Sequence, residues 1–230
     1  AFLDAGPYEW FRTLRREAVP QVGQLGVGIN VLPHAISILD RVGLADELEG
    51  LGVATSELVY FNRHGQRIWG EPRGRFAGYP VPQVSIHRGV LQMALLRAAE
   101  ARIGAGNLHT GHRFVAVDDK QPVTATFERS DGSCVDVEAD LFIGADGIHS
   151  ALRSLRYPGE GLPRYGGRIL WRATSRARPF LTGATMIMAG SIAQACILVT
   201  SKSAGRDHVR RYVRRAPCRP VPAGRAAGSG

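Results

Sequence analysis

The sequence predicts an α/β protein with α+β elements, part of it built from parallel-type strand–turn–helix units and part from a mainly antiparallel sheet. Three observations carry that expectation. An apolar run, Leu141-Phe142-Ile143, ends in the small turn Gly144-Ala145-Asp146-Gly147 and passes straight into a helical stretch. Two other stretches, 29–42 and 88–103, repeat apolar residues at helical intervals. Between and after them lie short strand-like runs separated by turn residues.

Each element has its own signal. In 29–42, Ile29, Leu32, Ile36, Leu39 and Val42 recur at helical spacing. Pro33 stands near the first turn, where a missing N–H costs nothing. Gly43 ends that helix, and a short second helix is expected over 44–48. Residues 57–69 read as a hairpin, with Asn62-Arg63-His64-Gly65 as its turn, and the Gly- and Pro-bearing stretch 71–82 reads as loop. Ser85 is the N-cap candidate for a helix over 88–103, with Val90, Leu91, Ala94, Leu95 and Ala98 as its inner stripe. Strands are expected over 108–117, 123–127 and 134–137, with Asp131-Gly132 as a hairpin turn. The continuous apolar character of Leu141-Phe142-Ile143 predicts a buried parallel strand, followed by a helix over 148–155. Beyond Arg164 the chain reads as strands over 168–174, 185–189 and 195–200.

The net charge of +9 is unevenly placed along the 230 residues. Residues 204–230 hold seven Arg, one Asp and no Leu, Ile or Phe, whereas 25–203 are nearly balanced. The tail has too little apolar surface to offset its ordering entropy, so it is expected to be disordered. Its arginines could meet nucleic acid non-specifically, but a solvated end is the stronger reading, and no specific nucleic-acid partner is expected. Cys134, Cys196 and Cys218 are too few and too scattered for a disulfide framework or a zinc site. Cys134 and Cys196 are expected to be buried thiols. No signal-peptide pattern opens the chain and no apolar run approaches membrane-spanning length, which predicts a cytoplasmic protein.

The turn at 144–147 carries the chemistry. Small residues let backbone approach a ligand closely, and a helix start aims free N–H groups at phosphate. Asp146 can accept from a hydroxyl or orient the turn's own amides. The longer string Gly144-Ala-Asp-Gly-x-x-Ser150-x-x-Arg153 resembles the second fingerprint of the FAD-dependent aromatic-ring monooxygenases. Gly26-Val-Gly28-Ile-Asn30 followed by Pro33, Ser85-Ile-His-Arg88-Gly-Val-Leu-Gln92, Glu71-Pro-Arg-Gly74, Trp171-Arg172 and the stretch 180–189 fit the same family. Together they look most like its phenazine-hydroxylase branch, over residues 25–203.

That resemblance implies FAD as cofactor, NADH or NADPH as co-substrate, and a small aromatic substrate hydroxylated with O₂. The chemistry would belong to the flavin, so no side chain is assigned as catalytic and no metal is expected. The implied cofactor-binding residues are Gly28, Arg88, Gln92, Gly144, Asp146 and Gly147. Arg88 offers a planar, permanently charged fork suited to a pyrophosphate or a flavin-side oxygen, and Gln92 lies one helical turn further on. His87 and His149 are read as structural residues. Trp171 and Arg172 could line a pocket for a planar aromatic acid, with Trp171 equally readable as core.

The implied organisation interleaves two parts. Residues 25–56 and 83–156 form part of a Rossmann-like FAD-binding domain, and 57–82 and 157–203 part of a substrate-binding sheet. Residues 1–24 hold no Gly-x-Gly-x-x-Gly loop, and no Gly-Asp-Ala-Ala-His-Pro-like segment follows the sheet. The expectation is therefore a chain incomplete at both ends, with impaired FAD binding. The alternative is a non-catalytic folded remnant, or a module that binds a ligand or partner. The sequence leaves the oligomeric state open.

Overall fold

The computed structural model describes residues 15–18, 21–24, 26–166, 169–176, 178–190, 194–200 and 208–215. Along the chain run β1 (Arg15–Arg16), β2 (Gly28–Val31), α1 (Pro33–Asp40), α2 (Ala45–Leu51), β3 (Val53–Ala54), β4 (Glu57–Phe61), β5 (Arg67–Pro72) and β6 (Val84–His87). Then come α3 (Arg88–Ile103), β7 (Leu108–His109), β8 (His112–Asp118), β9 (Val123–Arg129), β10 (Cys134–Ala139) and α4 (Ala151–Arg156). The last described strands are β11 (Ile169–Arg176), β12 (Thr185–Gly190), β13 (Gln194–Ile197) and β14 (His208–Arg215). These elements fall into two compact units.

One unit combines residues 26–90 with 165–230. The pairing behind the observed unit is parallel: β12 lies beside β4, with Ile187 opposite Val59. A six-stranded sheet results, ordered β11-β14-β13-β12-β4-β5, beside a smaller sheet ordered β2-β6-β3. Asn30 on β2 links the two sheets, its Nδ2 donating to Met186 Sδ at 2.6 Å. Ile36, Leu48, Ile86, Val59 and Val84 are fully buried in this unit.

Local chemistry explains where elements start. The helix expected from residue 29 begins only at Pro33, and Gly28–Val31 is a strand. A residue before proline is pushed out of the helical region, and Leu32 is extended at φ −75, ψ 161. The second helix opens with Asp46 and Glu47, favourable charges at the positive end of its dipole. The hairpin turn is an Asx turn: Asn62 Oδ1 accepts from the His64 and Gln66 amides at 2.9 and 3.0 Å. Strand β5 extends into the expected loop as far as Pro72. Ser85 is not an N-cap. It lies buried in β6, hydrogen-bonded to Thr55 Oγ1 and Asn30 Oδ1, and α3 starts three residues later.

Of the segment expected to be disordered, only 208–215 is described, as strand β14 between β11 and β13. Its place comes from backbone pairing, which composition does not reveal. Cys218 lies outside the described residues.

The other unit combines residues 1–25 with 91–164. Its meander β8-β9-β10 is antiparallel, and Asp131 Oδ1 accepts from the Ser133 amide and hydroxyl in the turn before β10. Phe114, Phe127 and Phe142 form its aromatic cluster, with centroids 5.4 to 6.1 Å apart. Over residues 91–103 the buried residues of α3 are Ala94 and Leu96; Leu95, expected on the inner stripe, is 38% exposed.

Two expectations are corrected here. Leu141–Ile143 forms no strand, and Leu141 and Ile143 are 63% and 64% exposed. A strand exists only where a neighbour's backbone bonds to it, and none does so among the described residues. Cys134 is exposed rather than buried, because it takes an outward position in the alternation along β10. Among the described residues no helix is long and apolar enough to cross a membrane, and no group of His, Cys, Asp and Glu could hold a metal ion.

Candidate functional site

Strand β6 runs into α3 without a loop, which places Arg88 at the helix start. Its N–H donates to Val27 O at 3.0 Å, and the next amide, on Gly89, donates to His87 Nδ1 at 3.1 Å. The first two amides of α3 are thus already bonded within the chain. The Arg88 side chain is exposed and its stem crosses Gly26. A Cβ on Gly26 would sit 3.3 Å from Arg88 Cδ, and Gly26 has φ +105. Among the described residues nothing accepts from the Arg88 guanidinium. Gln92 stands four positions further along the same helix, with its side chain exposed.

Gly28 is buried within β2, paired with His87. It is part of the sheet and can offer a ligand no side chain. Gly26, which the sequence reading did not single out, is the glycine that Arg88 needs. The signal for it was local: Gly26-Val-Gly28 holds two glycines, and only a residue free to take positive φ fits the first position.

The 144–147 turn leads into α4 as the sequence predicted, and its carboxylate is bonded to the start of that helix. Asp146 Oδ2 accepts from the Ala151 amide at 2.7 Å and the Leu152 amide at 3.3 Å. Ser150 is the N-cap, its Oγ accepting from the Arg153 amide at 2.9 Å. Partial desolvation works to raise the Asp146 pKa. Hydrogen bonds from the Ser150 hydroxyl and the Leu152 and Ala151 amides outweigh it and hold the carboxyl below its ordinary range.

The glycines of the turn have different reasons. A Cβ on Gly144 would run into Leu152, so that position serves packing. Gly147 has φ +83 with open space around its missing Cβ, so it serves backbone conformation and leaves the turn accessible. Arg153 bonds to Ile148 O and pairs with Glu160 at 2.9 Å. Arg156 forks onto both Asp119 oxygens, tying α4 to the end of the β8 hairpin. Arg153, Tyr157, Gly159 and Glu160 line an open concavity of about 530 Å³.

In the large sheet Trp171 is 62% exposed, so it is not core. The alternation along the strand separates it from Arg172. Trp69, Tyr60, Met188 and Cys196 are successive partners across β5, β4, β12 and β13, and Arg172 joins that face through β14. Trp171 points to the other face. Tyr60 and Trp69 lie with ring centroids 5.7 Å apart. Burial pushes the Cys196 thiol up to about 11.

A turn leading into a helix, an arginine opening a helix straight after a strand, and a mixed sheet of mostly antiparallel strands fit the flavoprotein class of aromatic hydroxylases. Residues 21–164 match the family described as FAD binding domain. The chain is 42% identical over 184 residues to phenazine 1,6-dicarboxylic acid hydroxylase PhzS of Lysobacter antibioticus, covering 77% of this chain and 44% of that protein. It is 33% identical over 162 residues to 6-hydroxynicotinate 3-monooxygenase of Bordetella bronchiseptica, covering 68% and 40%. With salicylate hydroxylase of Pseudomonas putida it shares 32% identity over 169 residues, covering 68% and 36%. The chain belongs to the family of FAD-dependent aromatic-ring hydroxylases, whose cofactors are FAD and a nicotinamide dinucleotide. It spans less than half the length of these relatives.

Solved structures show the same fold. Klebsiella pneumoniae HpxO, complexed with FAD and uric acid, superposes with a TM-score of 0.65 at 23% identity, covering 92% of this chain and 51% of that one. P. aeruginosa PqsL, in complex with 2-aminobenzoylacetate, gives 0.69 at 15% identity, covering 89% and 54%.

Proposed function

We propose that this chain is the FAD-binding part of an NAD(P)H-dependent hydroxylase of aromatic carboxylic acids, and that alone it binds FAD weakly. The substrate class rests on the relatives: the three named above act on a phenazine dicarboxylic acid, a hydroxynicotinate and salicylate. When bound, the flavin supplies oxygen activation, and the protein supplies binding, orientation and water exclusion.

The weak affinity rests on one observation. The first two amides of α3 and the first three of α4, among the groups a phosphate would take, already have partners inside the chain. The described residues therefore do not fit the whole dinucleotide. One unit offers a cation at Arg88; the other offers an amide side chain at Gln92 and an open turn at Gly147. Gly28 supports the strand beside Arg88, and Gly144 and Asp146 shape the turn. A non-catalytic remnant or ligand-binding module is the second reading, favoured by the same occupied amides.

Titration of FAD fluorescence against the purified chain tests the proposal. The expected result is colourless protein as purified, with weak FAD binding that Arg88→Ala weakens further. Stoichiometric yellow protein straight from expression would overturn the weak-binding claim. FAD binding without any flavin-dependent NADH or NADPH oxidation, even with a complementing chain, would favour the non-catalytic reading.

A further inference from the structure

The edge of the large sheet holds a donor that the chain does not satisfy. Arg73 Nε is buried without a hydrogen-bond partner, the one such side-chain atom among the described residues. Buried polar groups are nearly always paired, so this one calls for an acceptor from outside the chain. Nε and Nη2 form the side-on fork of a guanidinium, which matches the two oxygens of a carboxylate. Glu71 Oε1 accepts from Nη2 and leaves Nε empty. The backbone beneath is fixed, since the Arg73 amide donates to Ser56 O at 2.8 Å. The Arg73 and Glu71 side chains are 31% and 28% exposed, so the pair can be reached from solvent.

The surroundings of the fork suit a planar ring. Alternation along β5 puts Trp69 and Glu71 on one face, and the ion pair keeps the Arg73 guanidinium on that face too. Trp69 and Glu71 lie about 7 Å apart along the strand, a span one benzoic-acid-sized molecule can bridge. Trp69 is 53% exposed and stands beside Tyr60. Glu71, Leu58 and Met186 are successive partners across β5, β4 and β12, and Asn30 of β2 bonds to Met186. This face is therefore the one turned to the small sheet, whose strand β6 leads into Arg88.

Other nearby cations are committed elsewhere. Arg75 donates to both Glu49 oxygens. Arg67 lies over Gly70, on the opposite face of β5. Arg172 shares the face of Trp69 but stands five strands away, about 24 Å at ordinary strand spacing, and already has a partner.

We propose that Arg73 is a specificity-determining residue for the acid group of the substrate, an inference that rests on reading the chain as part of an aromatic-acid hydroxylase. The ligand carboxylate displaces Glu71 and takes Nε and Nη2 together, with its ring against Trp69. Glu71, already partly exposed, turns to water.

Salicylate binding to the full chain without flavin tests this, followed by NMR through the Trp69 indole N–H and the Arg73 Nε–H. Salicylamide, a similar ring without the charge, is the control ligand. Arg73→Gln should weaken salicylate by at least about tenfold and change salicylamide by less than about twofold. Arg73→Lys should restore only part of the loss, because an ammonium keeps the charge without the fork. Glu71→Gln should tighten salicylate, since the competing charge is gone; a purely structural ion pair gives no such gain. Arg67→Gln should alter neither ligand. If Arg73→Gln does not fold, the unmodified chain decides: salicylate should shift the Arg73 Nε–H and salicylamide should not. Equal losses for both ligands in Arg73→Gln, unchanged salicylate affinity there, no gain in Glu71→Gln, or no salicylate binding by the chain would each overturn the proposal. Each of those results leaves the flavin titration standing, and a failed flavin titration leaves salicylate binding to be scored, so the two readings fail separately.

Discussion

Gly74→Ala should be the most damaging small substitution in the unit that carries Arg88. Gly74 is buried with φ +52. An added Cβ would lie 2.9 Å from the Pro82 carbonyl carbon and closer still to the Gln83 nitrogen. These are backbone atoms with little freedom to retreat. Gln83 O accepts from the Thr55 amide at 2.8 Å, and Val84 is paired with Val31 in the small sheet. On the other side the Arg73 amide donates to Ser56 O at 2.8 Å. A left-handed conformation costs an L-residue roughly 1–2 kcal/mol, and overpacking adds about 1–3 kcal/mol. The sum is about 2–5 kcal/mol. Urea slopes for small proteins are roughly 1–3 kcal/mol per molar, so the midpoint should fall by about 1–5 M. Gly78→Ala is the control, because Gly78 has φ +87 but nothing within 4 Å of the missing Cβ. It should lose only the conformational part, about 1–2 kcal/mol. If the two variants unfold within about 0.5 kcal/mol of each other, the packing argument at Gly74 is refuted.

Other outcomes follow from the same geometry. Cys134 should react quickly with iodoacetamide at pH 8 and Cys196 slowly, since burial holds the Cys196 thiol protonated up to about 11; site-resolved mass spectrometry reads both, and equal rates would contradict the burial. The Asp146 carboxyl lies below its ordinary value of 3.8 in the folded chain. Its stabilisation should therefore be complete above that value and disappear as pH falls through the depressed one, followed through the Ala151 amide shift; loss beginning near neutrality would point to another group. Leu141→Lys with Ile143→Lys should change stability by no more than about 0.5 kcal/mol while lowering self-association in light scattering. A large destabilisation would mean that these side chains are buried in solution.

Much of the site was legible from local signals. The fingerprint string placed the turn and its helix because glycine, a short acceptor and a serine cap act over a few residues. Asp131-Gly132 marked a hairpin turn for the same reason. The misses share a cause. Ser85 has the chemistry of an N-cap, but pairing of β6 with β2 and β3 put it inside a sheet, bonded to Thr55 and Asn30. Leu141-Phe142-Ile143 has the composition of a buried strand, yet only Phe142 packs, against Phe114 and Phe127.

The sequence by itself determined the family, the order of helices and most strands, the fingerprint turn and the arginine at the start of α3. All of these depend on residues within a few positions of one another. Only the tertiary structure decided that Asp146 bonds its own helix, that Gly26 is the glycine beneath Arg88, and which face of the large sheet Trp171 and Arg172 each take. It also decided that β12 pairs with β4 from more than a hundred residues away. Those outcomes depend on register and on which backbone groups find partners. A short window of sequence constrains neither, because hydrogen-bond partners across a sheet are chosen by the whole chain.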